Sequence, residues 1–227
     1  MSSPESAAGV PGPEPTVYVI DDDESIRELL GWLMKRNAIR VEAFPNAKSF
    51  LKDYRPGAPG CLVLDLYMPG MSGLDLQRYL KEAGIEMPVI FLSGRADVPK
   101  AVLAVKSGAI DFIEKPFDYR RIVELVRDCL RRDGEARAGR EQAKRRAERL
   151  ATLTQREREV LDRVIAGKVN RVIAEEMQIS IKTVEAHRAR IMEKLAVDSV
   201  AELVQATLGA KAAERGAGGS RGPGTPG

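Results

Sequence analysis

Three apolar stretches of strand length in this chain each run directly into charged side chains. In an open parallel sheet the carboxyl ends of the strands meet at one edge, where ligands bind. We therefore expect several carboxylates and one ammonium group to share a cleft. Carboxylates so close together repel one another unless a cation joins them, so the pattern indicates a hard metal ion such as Mg²⁺ and chemistry on one carboxylate. The charged residues that follow the three stretches are, in turn, Asp21 with Asp22 and Asp23, then Asp65, then Glu114 with Lys115.

Strand-like and helix-like patterns alternate over residues 16–132. In the first helical segment, apolar residues recur at helical spacing and give it one buried face. Strands alternating with helices over this length predict a five-stranded parallel, doubly wound α/β sheet covered on both sides. The strand-like runs are Thr16–Ile20, Arg40–Phe44, Cys61–Leu64, Val89–Leu92 and Ile110–Ile113. The helical segments are Glu24–Arg36, Ala47–Tyr54, Leu74–Ala83 (with Ser72 as its predicted N-cap), Val98–Ser107 and Tyr119–Arg132.

A small all-α domain is predicted over residues 153–208, where the apolar spacing is helical throughout. The segment from Thr154 to Glu157 has the form of a capping box, and Ser180 is a second candidate cap. Between the two domains, residues 133–152 predict a charged linker that is partly helical from Arg140 onward. We expect a disordered leader over 1–15 and a disordered tail over 209–227.

Composition narrows the class of protein without naming it. The net charge of +3 arises mainly in residues 131–152, which carry eight basic and four acidic side chains. The net charge alone therefore does not indicate a nucleic-acid-binding protein. Two cysteines and one histidine cannot supply a zinc site of the usual ligand count. Without an apolar stretch long enough to suggest a membrane span, we expect a cytoplasmic protein with no membrane partner.

The motifs resemble a known family when they are taken together. They are the acidic run at Asp21, the segment from Asp65 to Gly73, the pair Ser93-Gly94, and Lys115-Pro116. The first domain resembles the flavodoxin-like receiver domain of two-component response regulators. The second resembles the LuxR-type helix-turn-helix domain. Together they are similar to the FixJ/NarL class of transcriptional regulators.

The resemblance implies a role for each acidic residue of the site. Asp65 would be the phosphoacceptor, because a carboxylate can attack phosphorus when a cation shields the incoming charge. Asp22 would bind Mg²⁺ directly, Asp21 through water, and the backbone carbonyl of Tyr67 would add a further oxygen ligand. Asp23 is then surplus to the metal pair.

The resemblance also implies how the site would switch. Lys115 would pair with Asp65 and afterwards with a phosphoryl oxygen. Ser93 would donate its hydroxyl hydrogen bond to the phosphoryl group, and Phe112 would rotate into the space that Ser93 vacates. Residues 98–113 would form the surface that changes and dimerises.

Two large side chains are expected at the mouth of the site. Tyr67 and Arg95 lie two residues after Asp65 and Ser93, respectively. We hypothesise that they hinder the approach of water and prolong the life of the phosphoryl bond.

One helix of the second domain is the candidate for the major groove. It begins after Ser180, and Ile181, Val184, Ile191 and Leu195 are expected to form its inward apolar stripe. Basic side chains on the outer face can take phosphates, an acid can accept from cytosine, and small residues allow close approach to the bases. The outward set is Lys182, Thr183, Glu185, Ala186, His187, Arg188, Ala189 and Arg190.

The function that these patterns favour is a DNA-binding transcriptional response regulator, switched at Asp65 by a sensor histidine kinase. Its partners would be double-stranded DNA and a second copy of the chain. It would not be a dedicated enzyme, since its chemistry is limited to auto-phosphotransfer and self-dephosphorylation. The alternatives are a constitutive DNA-binding regulator with an idle receiver, an aspartyl-phosphate phosphatase, and a flavin-binding domain. The acidic first loop disfavours flavin, because it would repel a phosphate in the absence of a metal.

Overall fold

The computed structural model describes residues 14–94 and 98–207. The predicted tail and Arg95 lie outside these residues, as does the predicted leader apart from its last two positions. None of the helices in this part of the chain has an apolar stretch of the length that a lipid bilayer requires. The chain divides into two compact units, Met1–Arg137 and Ala138–Gly227.

The first unit is a five-stranded parallel sheet with a helix after each strand. Its strand order is β2-β1-β3-β4-β5, with every neighbouring pair parallel, so the predicted fold class is confirmed. Its elements are β1 (Thr16–Ile20), α1 (Glu24–Arg36), β2 (Arg40–Phe44), α2 (Ala47–Asp53), β3 (Gly60–Asp65), α3 (Gly73–Glu82), β4 (Val89–Ser93), α4 (Val98–Lys106), β5 (Asp111–Glu114) and the first part of α5 (Tyr119–Ala151), whose residues after Arg137 belong to the second unit.

Apolar side chains cover both faces of this sheet. Along β1, Tyr18 and Ile20 join one buried cluster, whereas Val17 and Val19 join the other, because successive side chains of a strand point to opposite faces. Both faces are therefore filled by packing. The polar residues that can meet a ligand lie at the carboxyl ends of the strands.

Helices α1, α2 and α3 each begin at a side chain that caps them, which is Asn46 for α2. Ser72 is the N-cap of α3, as predicted, and it also forms a capping box with Asp75. Asp23 is the N-cap of α1, and its Oδ1 accepts a hydrogen bond of 2.9 Å from the backbone N–H of Ser25. The acid that was surplus to the metal pair thus starts a helix.

The prediction that the fifth helix ends near Arg132 is wrong. α5 continues to Ala151, through the segment expected to be only partly helical. The first residues past the predicted end are held by Asp133, whose buried carboxylate accepts hydrogen bonds from the backbone N–H of Gly60 at 2.8 Å and from Arg137 Nε at 2.6 Å. Pairs four residues apart, such as Arg145 with Glu141, support the helix further on.

The second unit is helical and has its own apolar core. The predicted caps are confirmed. Thr154 forms a capping box with Glu157, and Ser180 caps the helix that begins at Ile181. Of the predicted inward stripe, Val184, Ile191 and Leu195 are buried, but Ile181 is 47% exposed because it lies in the first turn, at the edge of the core. The elements are α6 (Gln155–Ile165), α7 (Asn170–Met177), α8 (Ile181–Leu195) and a further helical segment, α9, over 200–207.

Candidate functional site

Lys115 joins two buried carboxylates at the carboxyl ends of three strands. Its Nζ lies 2.6 Å from Asp21 Oδ2 and 2.8 Å from Asp65 Oδ1. The residues follow or end β1, β3 and β5, so the three charged strand ends meet as the sequence predicts. The pairing of Lys115 with Asp65 was expected, but its contact with Asp21 was not.

Asp21 is the most enclosed carboxylate of the site, with 1% of its surface exposed. Burial raises the pKa of Asp21, and the hydrogen bonds from Lys115 and from the backbone N–H of Asp23 offset this only in part. Burial acts to lower the pKa of Lys115, but the hydrogen bonds to Asp21 and Asp65 outweigh it and leave that pKa raised. The ammonium form of Lys115 is therefore secure at neutral pH.

Asp65 is held through both of its oxygens. Oδ1 contacts Lys115, and Oδ2 accepts a hydrogen bond of 2.7 Å from the backbone N–H of Tyr67. Asp22, expected to be the direct metal ligand, is exposed beside the site, and its backbone carbonyl accepts a hydrogen bond from Arg27.

The donors at this edge of the sheet suit a hard cation, although they do not form a finished metal cage. Three carboxylates, those of Asp21, Asp22 and Asp65, stand against the single ammonium of Lys115, and the carbonyl of Tyr67 is close in sequence. Across residues 14–94 and 98–207, no group of three or more His, Cys, Asp or Glu side chains converges tightly enough to hold a metal alone. Mg²⁺ usually retains several waters and needs only one or two carboxylates, so the donor set fits it.

The predicted switch residues lie on the neighbouring strands. Ser93 ends β4 fully buried, and its carbonyl accepts a hydrogen bond from the backbone N–H of Lys115 at 2.7 Å. Phe112 on β5 is half-buried against one core cluster. It also lines a cavity of about 430 Å³ together with Val98 and Ala101 of α4. There is thus space beside the Phe112 ring.

Gly73 is a residue of the site that sequence reasoning passed over. A Cβ atom at this position would lie inside contact distance of the backbone carbonyl of Asp65 and 2.9 Å from a ring carbon of Phe91. Only glycine lets the start of α3 approach β3 so closely. The short spacing from Asp65 to a glycine ahead of a helix is the signal that could have identified it.

The predicted reading helix, α8, presents a mixed polar face. Lys182, Thr183, Glu185, Ala186, Ala189 and Arg190 are exposed, whereas His187 and Arg188 are half-buried. Arg188 Nη1 donates a hydrogen bond of 3.0 Å to Asn170 Oδ1 at the start of α7, so part of its guanidinium is used within the domain. His187 Nδ1 is buried without a hydrogen-bond partner among the described residues.

The far end of α8 is fastened to α6 by an ion pair that the sequence did not reveal. Lys194 Nζ lies 2.7 Å from Glu157 Oε2, and the same oxygen accepts the backbone N–H of Thr154 at 2.8 Å. The hydrogen bond from Lys194, followed by that from Thr154, lowers the pKa of Glu157 to about 2. One carboxylate therefore caps α6 and positions α8.

Comparison with known proteins agrees with this architecture. Residues 17–127 match the family described as the response regulator receiver domain, and residues 151–207 match the family of bacterial regulatory proteins of the luxR family. The chain is 41% identical over 191 residues to the response regulator protein TodT of Pseudomonas putida, covering 84% of each chain. It is 42% identical over 192 residues to the transcriptional regulatory protein FixJ of Azorhizobium caulinodans, covering 85% of this chain and 91% of FixJ.

Solved structures give the same result. The response regulator StyR is 41% identical, with a TM-score of 0.82 over 86% of this chain and 99% of StyR. Full-length FixJ from B. japonicum is 37% identical, with a TM-score of 0.54 over 87% and 97% of the two chains. The chain belongs to the two-component response regulators that join a receiver domain to a LuxR-type DNA-binding domain, and it is a transcriptional regulator of that class.

Proposed function

We propose that Asp65 is the phosphoacceptor of this regulator, that a sensor histidine kinase is its donor in the cell, and that phosphorylation controls binding of double-stranded DNA. The observation that carries the proposal is the bridge of Lys115 Nζ to Asp21 and Asp65. A shared ammonium beside a buried carboxylate favours the charged form of that carboxylate and can accept a second anion.

The transfer needs few catalytic groups. A carboxylate oxygen of Asp65 attacks phosphorus, the bond from phosphorus to its donor breaks, and the donor leaves with the bonding electron pair. The phosphoryl group then carries nearly two negative charges where the carboxylate carried one. Lys115 is within reach of that added charge.

Mg²⁺ fits the acidic end of the site. Asp21, Asp22 and the carbonyl of Tyr67 would hold it, in part through water. Its chemistry when bound is to shield the phosphoryl oxygens from the carboxylates. The raised pKa of Asp21 supports this assignment, because a buried carboxylate with unbalanced charge gains most from a cation.

The signal is proposed to pass through Ser93 and Phe112 to α4 and β5. Ser93 would donate its hydroxyl hydrogen bond to the phosphoryl group, and Phe112 has a cavity beside its ring. Val102, Leu103 and Val105 of α4 are each about half exposed. This apolar surface supports a homodimer of the phosphorylated chain.

DNA is proposed to bind along α8 in a major groove, with Lys182 and Arg190 on phosphates. Glu185 would accept from a base edge, and Ala186 and Ala189 would permit close approach. Thr183, His187 and Arg188 complete the set at its margins. DNA as the target supports a cytoplasmic location.

Two other functions stay testable. In the first, a constitutive regulator, the receiver would be idle and phosphorylation would leave DNA binding unchanged. In the second, an aspartyl-phosphate phosphatase, a general acid would stand two residues after the nucleophile. That position is Tyr67, which donates its backbone N–H to Asp65. Self-dephosphorylation is the only hydrolysis that we assign to this chain.

A two-stage experiment tests the proposal. Acetyl phosphate and Mg²⁺ are added to the wild type, Asp65→Ala and the exposed control Asp53→Ala, and intact mass reports one added phosphoryl group. DNA selected from a random pool by the phosphorylated wild type is then footprinted with all three proteins, with and without donor. We expect labelling and tighter binding for the wild type and the control only.

The outcomes separate the alternatives. Equal footprints with and without donor for the wild type and Asp65→Ala would support the idle receiver. Lys182→Ala should weaken binding and lower its salt dependence, whereas Arg156→Ala, an exposed basic position on α6, should not. Equal losses in these two variants would remove α8 from the interface.

A further inference from the structure

A side chain of α4 reaches the mouth of the site. Lys100 Nζ donates a hydrogen bond of 2.9 Å to Tyr67 Oη and lies 4.1 Å from the centroid of the same ring. The ring is thus held by two contacts of different kinds, a hydrogen bond and a cation–π interaction. The two residues are 33 positions apart and on different elements, so this contact is tertiary.

Tyr67 connects this lysine to the phosphoacceptor. Its backbone N–H donates to Asp65 Oδ2 at 2.7 Å, while its side chain is bound to α4. Tyr67 is 36% exposed and Asp65 only 5%, so the carboxylate is enclosed beside the Tyr67 backbone while the aromatic residue meets solvent. A movement of α4 that carries Lys100 away would remove both of these contacts from the ring.

We propose that Lys100 is a positioning residue that holds the Tyr67 ring over Asp65 and thereby lengthens the lifetime of the phosphoaspartate. The inference rests on the proposed phosphorylation of Asp65 and adds its regulation. In hydrolysis, water attacks phosphorus, the bond from phosphorus to the Asp65 oxygen breaks, and both protons of the water end on the departing phosphate. A ring fixed at the mouth restricts the approach of that water.

The arrangement couples the lifetime to the state of α4. Lys100 lies in the first turn of α4, which begins at Val98. Any partner that keeps α4 in the position where Lys100 contacts Tyr67 also keeps the Tyr67 ring in place. The lifetime of the phosphoaspartate then depends partly on the position of α4, which is also part of the surface proposed to change on phosphorylation.

The test measures the decay of phosphorylated protein after removal of donor, with Mg²⁺ present. Lys100→Met keeps the length of the side chain but removes its charge, and should shorten the lifetime about three- to tenfold, the size expected for a partly exposed hydrogen bond with a cation–π contact. Lys100→Arg should restore most of it. Lys81→Met, at an exposed lysine near the end of α3 and outside the proposed dimer surface, is the matched control and should leave the lifetime unchanged.

A double-variant comparison makes the mechanism specific. Tyr67→Ala should shorten the lifetime at least as much as Lys100→Met. The double variant should decay no faster than Tyr67→Ala, because both substitutions remove the same feature, the Tyr67 ring held by Lys100. Tyr67→Phe loses the hydrogen bond alone and should give a smaller effect, which also covers the case in which Tyr67→Ala folds poorly.

Three results would overturn the inference. They are an unchanged lifetime in Lys100→Met, multiplicative effects in the double variant, and a slower uptake of phosphoryl with unchanged decay, which would give Lys100 a role in capturing the donor. Failure of the proposed function would look different, since the wild type would then take no phosphoryl group, or Asp65→Ala would take as much.

Discussion

The carboxylate of Glu157 is predicted to stabilise the DNA-binding domain in a manner that depends on pH. Its side chain is 4% exposed and accepts hydrogen bonds from Lys194 and from the backbone of Thr154. The substitution Glu157→Gln keeps the size of the side chain and removes the charge. We expect it to loosen α6 from the end of α8 and to lower the free energy of unfolding.

The magnitude follows from the pKa. A fall from the ordinary 4.5 to about 2 corresponds to roughly 3.5 kcal/mol at about 1.4 kcal/mol per unit. Lys194 is one-third exposed, so solvent screening reduces this figure, and we expect a loss of about 1–2 kcal/mol at neutral pH. Because the folded-state pKa is depressed, the contribution is complete above pH 4.5 and disappears as the pH falls towards 2.

Urea unfolding of the whole chain can resolve this domain. The only tryptophan, Trp32, lies in α1, so its fluorescence follows the first unit, and helix loss seen by circular dichroism without a fluorescence change follows the second. The matched control is Glu175→Gln, which removes an exposed partner of Arg171 and should cost at most about 0.5 kcal/mol.

The reasoning would be refuted by either of two results. One is a loss in Glu157→Gln no larger than in Glu175→Gln at neutral pH. The other is a difference between Glu157→Gln and the wild type that stays constant between pH 5 and pH 2.5, because the charge would then not be its cause.

Further predictions concern the receiver. Gly73→Ala should cost about 2–4 kcal/mol in urea unfolding, since its Cβ would press on the Asp65 carbonyl, whereas Gly31→Ala, with open space within α1, should be neutral or stabilising. Asp133→Asn should cost about 1–3 kcal/mol and speed hydrogen exchange at the start of β3 and in α5 around residue 133. Asp21→Asn should raise receiver stability at neutral pH without Mg²⁺. Because burial raises the pKa of Asp21, the folded receiver loses stability as the pH rises through that pKa and the carboxylate becomes charged. Unchanged stability in Asp21→Asn would argue against this destabilisation by the buried charge.

Local chemistry accounts for what the sequence predicted well. The caps Ser72, Thr154 and Ser180 each bond a backbone N–H three residues on, so a window of four residues contains the whole interaction. Helix starts were therefore predictable. The end of α5 was not, because the residue that extends it, Asp133, bonds Gly60, which is 73 positions away.

The same distinction applies to the charged residues. A surface lysine such as Lys100 and a capping acid such as Glu157 have the sequence context of ordinary solvated side chains. Their partners, Tyr67 and Lys194, are 33 and 37 positions away. Which charges are paired depends on helix placement, and residue spacing along one helix does not contain that information.

The central bridge is a different case, because strand alternation could have predicted the face of the sheet on which its three residues lie. Val19, Val63 and Ile113 pack in one core cluster on one face of the sheet. Two residues after each of them, on the same face by the period of a strand, stand Asp21, Asp65 and Lys115 in that order. β1, β3, β4 and β5 are parallel, so all three residues lie at the carboxyl edge of the sheet. By the register of the strands, Asp65 is level with Ile113, so Lys115 stands two residues beyond Asp65, and its long side chain spans the distance to both acids. Asp22 follows Asp21 beyond the end of β1 and is exposed. The three consecutive aspartates are therefore not interchangeable: the first binds the lysine, the second faces solvent, and the third begins α1.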